Sequence, residues 1–310
     1  MDYKLYLTDP GILKKNKKYY YNSNGLEVTD QKNLERLDKI YIPPAWKNVW
    51  YASNAKCHIQ AHGVDIGGKK QYMFSQEWTN NSKYSKYNRM KRFVKDIKTF
   101  KNRIRLSSYS SYENNRDFLI KLLLNLLIDT HIRVGNEIYA ENNGTYGLTT
   151  LRQKHLIFKE NYYYFSFLGK SNKFHEIQVP DRYNIYLNHF KLNNGNSPLF
   201  VYDKRKIINS EELNDYIKTN MGNEYTCKDF RTYSANILFI KAFLKNTRNC
   251  KLKSKKIILK CIDSTAELLG HTRNISRKSY ISTNLLDYCY DSFDKAVSST
   301  PEELLVKVWD

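Results

Sequence analysis

Gly270-His271-Thr272-Arg273-Asn274-Ile275-Ser276-Arg277-Lys278-Ser279-Tyr280 sets a histidine and a tyrosine nine residues apart, with basic and hydroxyl side chains between them. A tyrosine can attack a phosphodiester only where nearby donors neutralise the phosphate. The spacing alone does not establish such a site. Three upstream segments share its character, a cation held at a helix or turn beside small or aromatic residues. They are Ile132-Arg133-Val134-Gly135-Asn136-Glu137, Leu168-Gly169-Lys170 and Lys228-Asp229-Phe230-Arg231-Thr232-Tyr233.

The chain has 310 residues, enough for two domains or one large one. It carries 51 Lys and Arg against 31 Asp and Glu, a net charge of +20. A polyanion partner fits that excess, because each neutralised phosphate releases counterions and drives binding. Hydrophobic residues at 41% argue for a folded chain rather than a disordered basic tail. Cys57, Cys227, Cys250, Cys261 and Cys289 are scattered, odd in number and form no C-x-x-C pair. That reads as a reduced, intracellular, metal-free protein, expected in the cytoplasm. Cys57-His58 and His62 lack the second cluster a zinc site requires. The start of the chain, Met1-Asp2-Tyr3-Lys4, lacks an apolar leader, and no apolar run is long enough to span a membrane.

The pattern along the chain predicts an α+β protein. Residues 1–78 read as a β-rich N-terminal domain, with a short strand at 3–7 and two strands within 19–28 around Asn22-Ser23-Asn24-Gly25. A short helix capped by Asp30 follows, then strands near 50–53, 57–61 and 71–74. Residues 79–88, opening on Asn80-Asn81-Ser82, read as a linker. Residues 89–310 read as a larger, mainly helical domain. Leu119, Leu122, Leu123 and Leu126 recur at helical spacing behind Asn114 or Asn115 as cap. A small β-meander is expected at 154–158, 162–168 and 174–179, with Lys170 in the last turn. Further helices are expected near 183–190, 211–219, 228–244, 255–269 and 302–308.

Transesterification at phosphorus sets clear demands. The attacking phenol has a pKa near ~10 and must approach an anion. Negative charge grows on the non-bridging oxygens, and each fixed donor there is worth roughly 10²–10³ in rate. Arginine grips two oxygens through its planar fork, and lysine carries a proton that can be given to a leaving oxygen. Arg133, Lys170, Arg231, His271 and Tyr280 together meet these demands with neither metal nor cofactor.

These residues resemble the motifs of type IB DNA topoisomerases of the small poxvirus and bacterial kind. Ile42-Pro43-Pro44-Ala45-Trp46, His58-Ile59-Gln60-Ala61 and Gly68-Lys69-Lys70-Gln71-Tyr72 resemble the family's N-terminal domain. Arg133-Val134-Gly135-Asn136-Glu137 with Asn143-Gly144-Thr145-Tyr146-Gly147-Leu148-Thr149-Thr150-Leu151 resembles the segment around its first catalytic Arg. Gly169-Lys170-Ser171 resembles its lysine-bearing hairpin, and the Arg231 and His271 segments complete the order. The resemblance implies two domains closing as a clamp, in a monomer, around duplex DNA. Tyr280 would form a 3′-phosphotyrosyl link and release a 5′-hydroxyl. Lys170, assisted by Arg133, would be the general acid, while Arg133, Arg231 and His271 would stabilise the phosphorane. The nicked duplex would swivel and be religated by the reverse attack.

The same resemblance implies DNA contacts at Lys69, Lys70, Gln71, Tyr72 and Tyr139, with Lys228 and Asn236 on the Arg231 helix. Arg273, Arg277 and Lys278 are expected as backbone contacts or solvated charge. Phe74 stands where poxvirus members have Tyr, so the same target preference is not implied. Asn136-Glu137 matches the bacterial form instead. The composition, rich in Tyr, Asn, Lys and Ile, fits an AT-rich large DNA virus, with action in a virion or replication compartment. Two alternatives remain at this level. A tyrosine recombinase shares the chemistry but typically has His where Lys228 stands. A basic DNA-binding protein without catalysis would suit the charge alone.

Overall fold

The computed structural model describes residues 3–106, 115–191, 195–203, 205–247 and 254–309. Cys250, and Asn114 as a helix cap, lie outside them. The chain divides into two compact units, Met1–Lys86 and Tyr87–Asp310.

The first unit begins with a helix, α1 (Tyr3–Thr8), where the sequence alternation predicts a strand. Five residues are too few to separate the two periods, and Asp9-Pro10 ends the helix as proline does. Strands β1 (Ile12–Lys15) and β2 (Lys18–Tyr21) form a hairpin that the sequence does not reveal. Its turn residues Asn16 and Lys17 both take positive φ, 48° and 68°, as a two-residue turn with the right twist requires. Asn22 to Gly25 instead ends β2, and the expected second strand is only a bridge from Tyr20 to Glu27. Helix α2 (Gln31–Asp38) starts where Asp30 accepts from Asn33 N–H, as predicted.

Strands β3 (Lys47–Tyr51), β4 (Ile59–Val64) and β5 (Lys70–Phe74) complete an antiparallel sheet ordered β2-β1-β3-β4-β5. Alternation divides its faces. Tyr51, Ala61 and Met73 lie in one cross-strand row and pack with Ile12, Tyr19, Val28 and Leu37 into the unit's core. Trp50, His62 and Tyr72 form the neighbouring row. Trp50 stacks on His62 at 5.0 Å. Beyond it Tyr72 and Phe74 are 41% and 48% exposed, an aromatic surface edged by exposed Lys69 and Lys70.

Residues 79–88, expected as a linker, are helical, and the boundary between the two units falls among them. They lie inside the 28-residue helix α3 (Gln76–Arg103). The polar run there is a solvated helix face rather than a break: it contains no Gly or Pro.

In the second unit, α4 (Arg116–Thr130) is capped by Asn115 and buries apolar residues all around, so it is a core helix. A short helix, α5 (Glu137–Asn143), follows it. Strands β6 (Leu156–Lys159), β7 (Tyr162–Gly169) and β8 (Lys173–Gln178) form the expected antiparallel meander. Helices α6 (Asn184–Phe190), α7 (Ser210–Asn220), α8 (Cys227–Thr247) and α9 (Lys255–Leu268) come next. The short α10 (Arg273–Ile275) runs into a π-type turn at Ser276–Tyr280. Then come α11 (Thr283–Asp291), α12 (Phe293–Val297) and α13 (Pro301–Trp309). One continuous core holds α4, the meander, α8 and the C-terminal helices together. Among the described residues, no helix is long and apolar enough to cross a membrane.

Candidate active site

Helix α4 ends at His131 in the left-handed conformation, φ 55°, and the turned chain delivers Arg133. Arg133 C=O accepts from Leu148 N–H at 2.8 Å, and Val134 C=O from Thr149 N–H at 2.7 Å. Gly135 has φ 100°, and a Cβ on Gly147 would lie 2.6 Å from Arg133 O. Only glycines allow this close approach, which explains why two are spaced around the arginine. Tyr146 N–H donates to Leu168 C=O at 2.7 Å and so ties this segment to the strand end before Gly169-Lys170. Lys170 lies exposed in the β7–β8 turn, which Ser171 and Asn172 close with φ of 64° and 55°.

Arg231 is only 7% exposed on α8. Its guanidinium donates to His131 C=O and, at 2.7 Å, to Leu269 C=O. These carbonyls cap the C-termini of α4 and α9, where helix dipoles place partial negative charge that favours a buried cation. Burial, and then the Arg133 charge, pushes Arg231 down to about 10, so it stays charged at neutral pH. Its Nε is buried with no hydrogen-bond partner, a donor left for an anion. Nη2 lies 2.9 Å from His271 Nε2.

His271 is buried, and its ring stacks on Tyr280 at 4.3 Å and 25°. Burial first, then Arg231 and Arg133, hold the imidazole down to about 3. It is therefore neutral at physiological pH. Arginine can only donate, so Nε2 is the acceptor here and the proton sits on Nδ1, facing Ser276 Oγ at 3.4 Å. Tyr280 ends the π-type turn, in which Ile281 N–H reaches Ser276 C=O at 2.9 Å.

Arg133, Lys170 and Arg231 line one pocket together with Gly169 and His175. His271 joins it through Arg231, and Tyr280 through its stack on His271 and its own interaction with the Arg231 guanidinium. The five residues expected to act together are thus connected within the second unit.

The expected DNA contacts divide differently. Lys69, Lys70 and Lys228 are exposed, and Tyr139 is 51% exposed on α5. Gln71 spends one donor on Asp65 at 2.7 Å. Asn236 is a correction: it is fully buried and presents nothing to DNA. Its Nδ2 donates to Thr232 C=O at 2.7 Å and Tyr280 C=O at 3.0 Å, while its Oδ1 accepts from Ser282 N–H at 2.9 Å. A polar residue five positions beyond Arg231 on the same helix looks exposed in sequence, and only the fold shows otherwise. Arg273 is held in an ion pair with Asp263. Sequence reasoning also missed His175; its one signal was its place five residues after Lys170 in the same hairpin.

Comparison with known proteins places the chain in a family. Residues 75–303 match the family "Eukaryotic DNA topoisomerase I, catalytic core", and residues 18–65 match "Bacterial DNA topoisomerase IB, N-terminal domain". The chain is 38% identical to "DNA topoisomerase 1B" of Acanthamoeba polyphaga mimivirus, over 87% of this chain and 83% of that protein. It is 28% identical to "DNA topoisomerase 1B" of vaccinia virus, over 96% of both chains. It is 26% identical to "DNA topoisomerase 1" of rabbit fibroma virus, over 73% of this chain and 70% of that protein. With the catalytic-core match spanning most of its length, this chain belongs to the type IB DNA topoisomerases.

Proposed function

We propose that the protein relaxes supercoiled duplex DNA by transient cleavage of one strand. The observation that carries this reading is the convergence of Arg133, Lys170 and Arg231 on one pocket, with Arg231 linked through His271 to Tyr280.

The scissile phosphate enters between the arginines. Tyr280 Oη bonds to phosphorus and the P–O5′ bond breaks. The phenol proton passes to solvent, while Lys170 gives its ammonium proton to the leaving O5′ and is later reprotonated. Arg133 and the free Nε of Arg231 stabilise the charge that grows on the non-bridging oxygens. For His271 to donate as well, Arg231 must release Nε2 and the ring must carry its proton there. The phosphotyrosyl ester conserves the bond energy, so religation by the freed 5′-hydroxyl consumes no ATP.

The aromatic face of the first unit, with Lys69, Lys70 and Tyr72, supports a role in holding DNA, and the net charge of +20 supports phosphate contact over a long tract. We read the working form as a monomer that clamps the duplex with both units, the boundary between domains falling near Lys86. The viral relatives support action in the cytoplasm, or in virions and viral replication compartments.

The test is relaxation of supercoiled plasmid in EDTA without ATP, with SDS trapping of the covalent complex. Tyr280→Phe should abolish relaxation and trapping while DNA binding persists. Continued relaxation by that variant would remove Tyr280 as nucleophile, and a requirement for ATP or a divalent ion would overturn the mechanism.

A further inference from the structure

We propose that His175 is a positioning residue that braces the Lys170 turn against the His271 turn and thereby fixes where Lys170 delivers its proton. The proposal rests on the reading of Lys170 as general acid.

His175 lies on β8, paired in register with Phe167 on β7, and its ring stacks on Phe167 at 5.2 Å and 17°. The other edges of the imidazole meet two glycines. A Cβ on Gly169 would come 2.7 Å from His175 Cδ2, and a Cβ on Gly270 would come 2.2 Å from Cε1. Gly169 immediately precedes Lys170, and Gly270, at φ 62°, immediately precedes His271. One planar ring therefore touches the backbone on which each of two reacting side chains is mounted. It also lines the pocket shared by Arg133, Lys170 and Arg231.

The ring suits that place electrically. Burial, then the Arg133, Arg231 and Lys173 charges, hold His175 down to about 4. It stays neutral and adds no positive charge to a pocket already crowded with cations. Loss of the ring leaves a void between the two turns. Lys170, exposed at a hairpin tip, then has nothing to fix its approach to the leaving oxygen. Misplacement by about 1 Å can cost a reaction roughly 10²-fold.

The experiment compares single-turnover cleavage of two duplexes, one with the natural 5′-oxygen at the scissile bond and one with a bridging 5′-sulfur. A thiolate leaves without a proton, because a thiol titrates near ~8.5 and an alcohol far higher. Wild type, Lys170→Ala, His175→Ala and His175→Asn are measured on both. His175→Ala should cleave the oxygen ester roughly 10- to 100-fold more slowly and the sulfur ester at nearly the wild-type rate. His175→Asn, which keeps part of the planar side chain, should fall between. Near-wild-type sulfur cleavage also shows that the variant is folded. Equal losses on both esters, or no loss on either, while Lys170→Ala is rescued by sulfur, overturn the role of His175 alone. Failure of sulfur to rescue Lys170→Ala overturns the general-acid reading, and the inference with it.

Discussion

Arg231 Nη2 donates to His271 Nε2 across 2.9 Å, so the neutral ring carries its proton on Nδ1. This tautomer cannot give a hydrogen bond from Nε2 to a phosphate. With histidine labelled in nitrogen-15, His271 of the free protein should show a protonated Nδ1 and a bare Nε2. In a Tyr280→Phe complex with cleavable duplex, the proton should move to Nε2 as Arg231 turns to the phosphate. A proton on Nε2 in the free protein would contradict the arrangement.

Arg231 satisfies two helix ends at once, through the carbonyls of His131 and Leu269. A lysine carries the charge but has no fork with which to span both carbonyls and His271. Arg231→Ala should slow single-turnover cleavage by roughly 10²–10³-fold, the usual loss for one fixed donor. Arg231→Lys should recover less than a tenth of that loss on a logarithmic scale, with DNA affinity little changed. Near-complete recovery by lysine would mean that charge, not the fork, matters at this position.

Asn236 clamps the backbone just after Tyr280, at Tyr280 C=O and Ser282 N–H on either side of Ile281. Asn236→Ala strands those buried groups, at about 1–3 kcal/mol for an unsatisfied one. The thermal midpoint should fall, and cleavage should slow while DNA binding holds. Asn236→Asp should be worse than alanine, because a carboxylate would face the carbonyls of Thr232 and Tyr280. Weakened DNA binding with unchanged cleavage would restore the direct contact expected from sequence.

What was legible in the sequence was local. The Leu119 spacing behind Asn115, the meander and the Asp30 cap are each decided within a few residues. The five expected active-site residues could be named because each sits in a short motif, although 280 − 133 = 147 positions separate the first from the last. The errors are of two kinds. Asn16-Lys17 was missed because lysine at positive φ is an uncommon turn residue, and residues 79–88 misled because a solvated helix face and a loop share a composition. Asn236 was misread because its partner Tyr280 lies 44 positions away, a distance over which no local pattern speaks.

The neutral histidines of the second unit make the protein acid-sensitive. Burial above all holds His131 and His155 at about 4, and His271 lower still at about 3. His155 Nδ1 accepts from Arg152 N–H at 2.9 Å, a bond that protonation would destroy. Unfolded histidines titrate near ~6.5. As pH falls below that value, the unfolded chain binds protons that the folded chain refuses, so stability is highest above about 6.5 and declines toward 4. Each such histidine can remove up to ~1.4 kcal/mol per pH unit within that window. Between pH 6.5 and 5, before most carboxylates titrate, the urea midpoint should drop steadily. His155→Gln should begin less stable and lose less over the same interval. A midpoint flat from pH 6.5 to 5 in the wild-type protein would mean that these rings are already charged, or exposed, in the folded state.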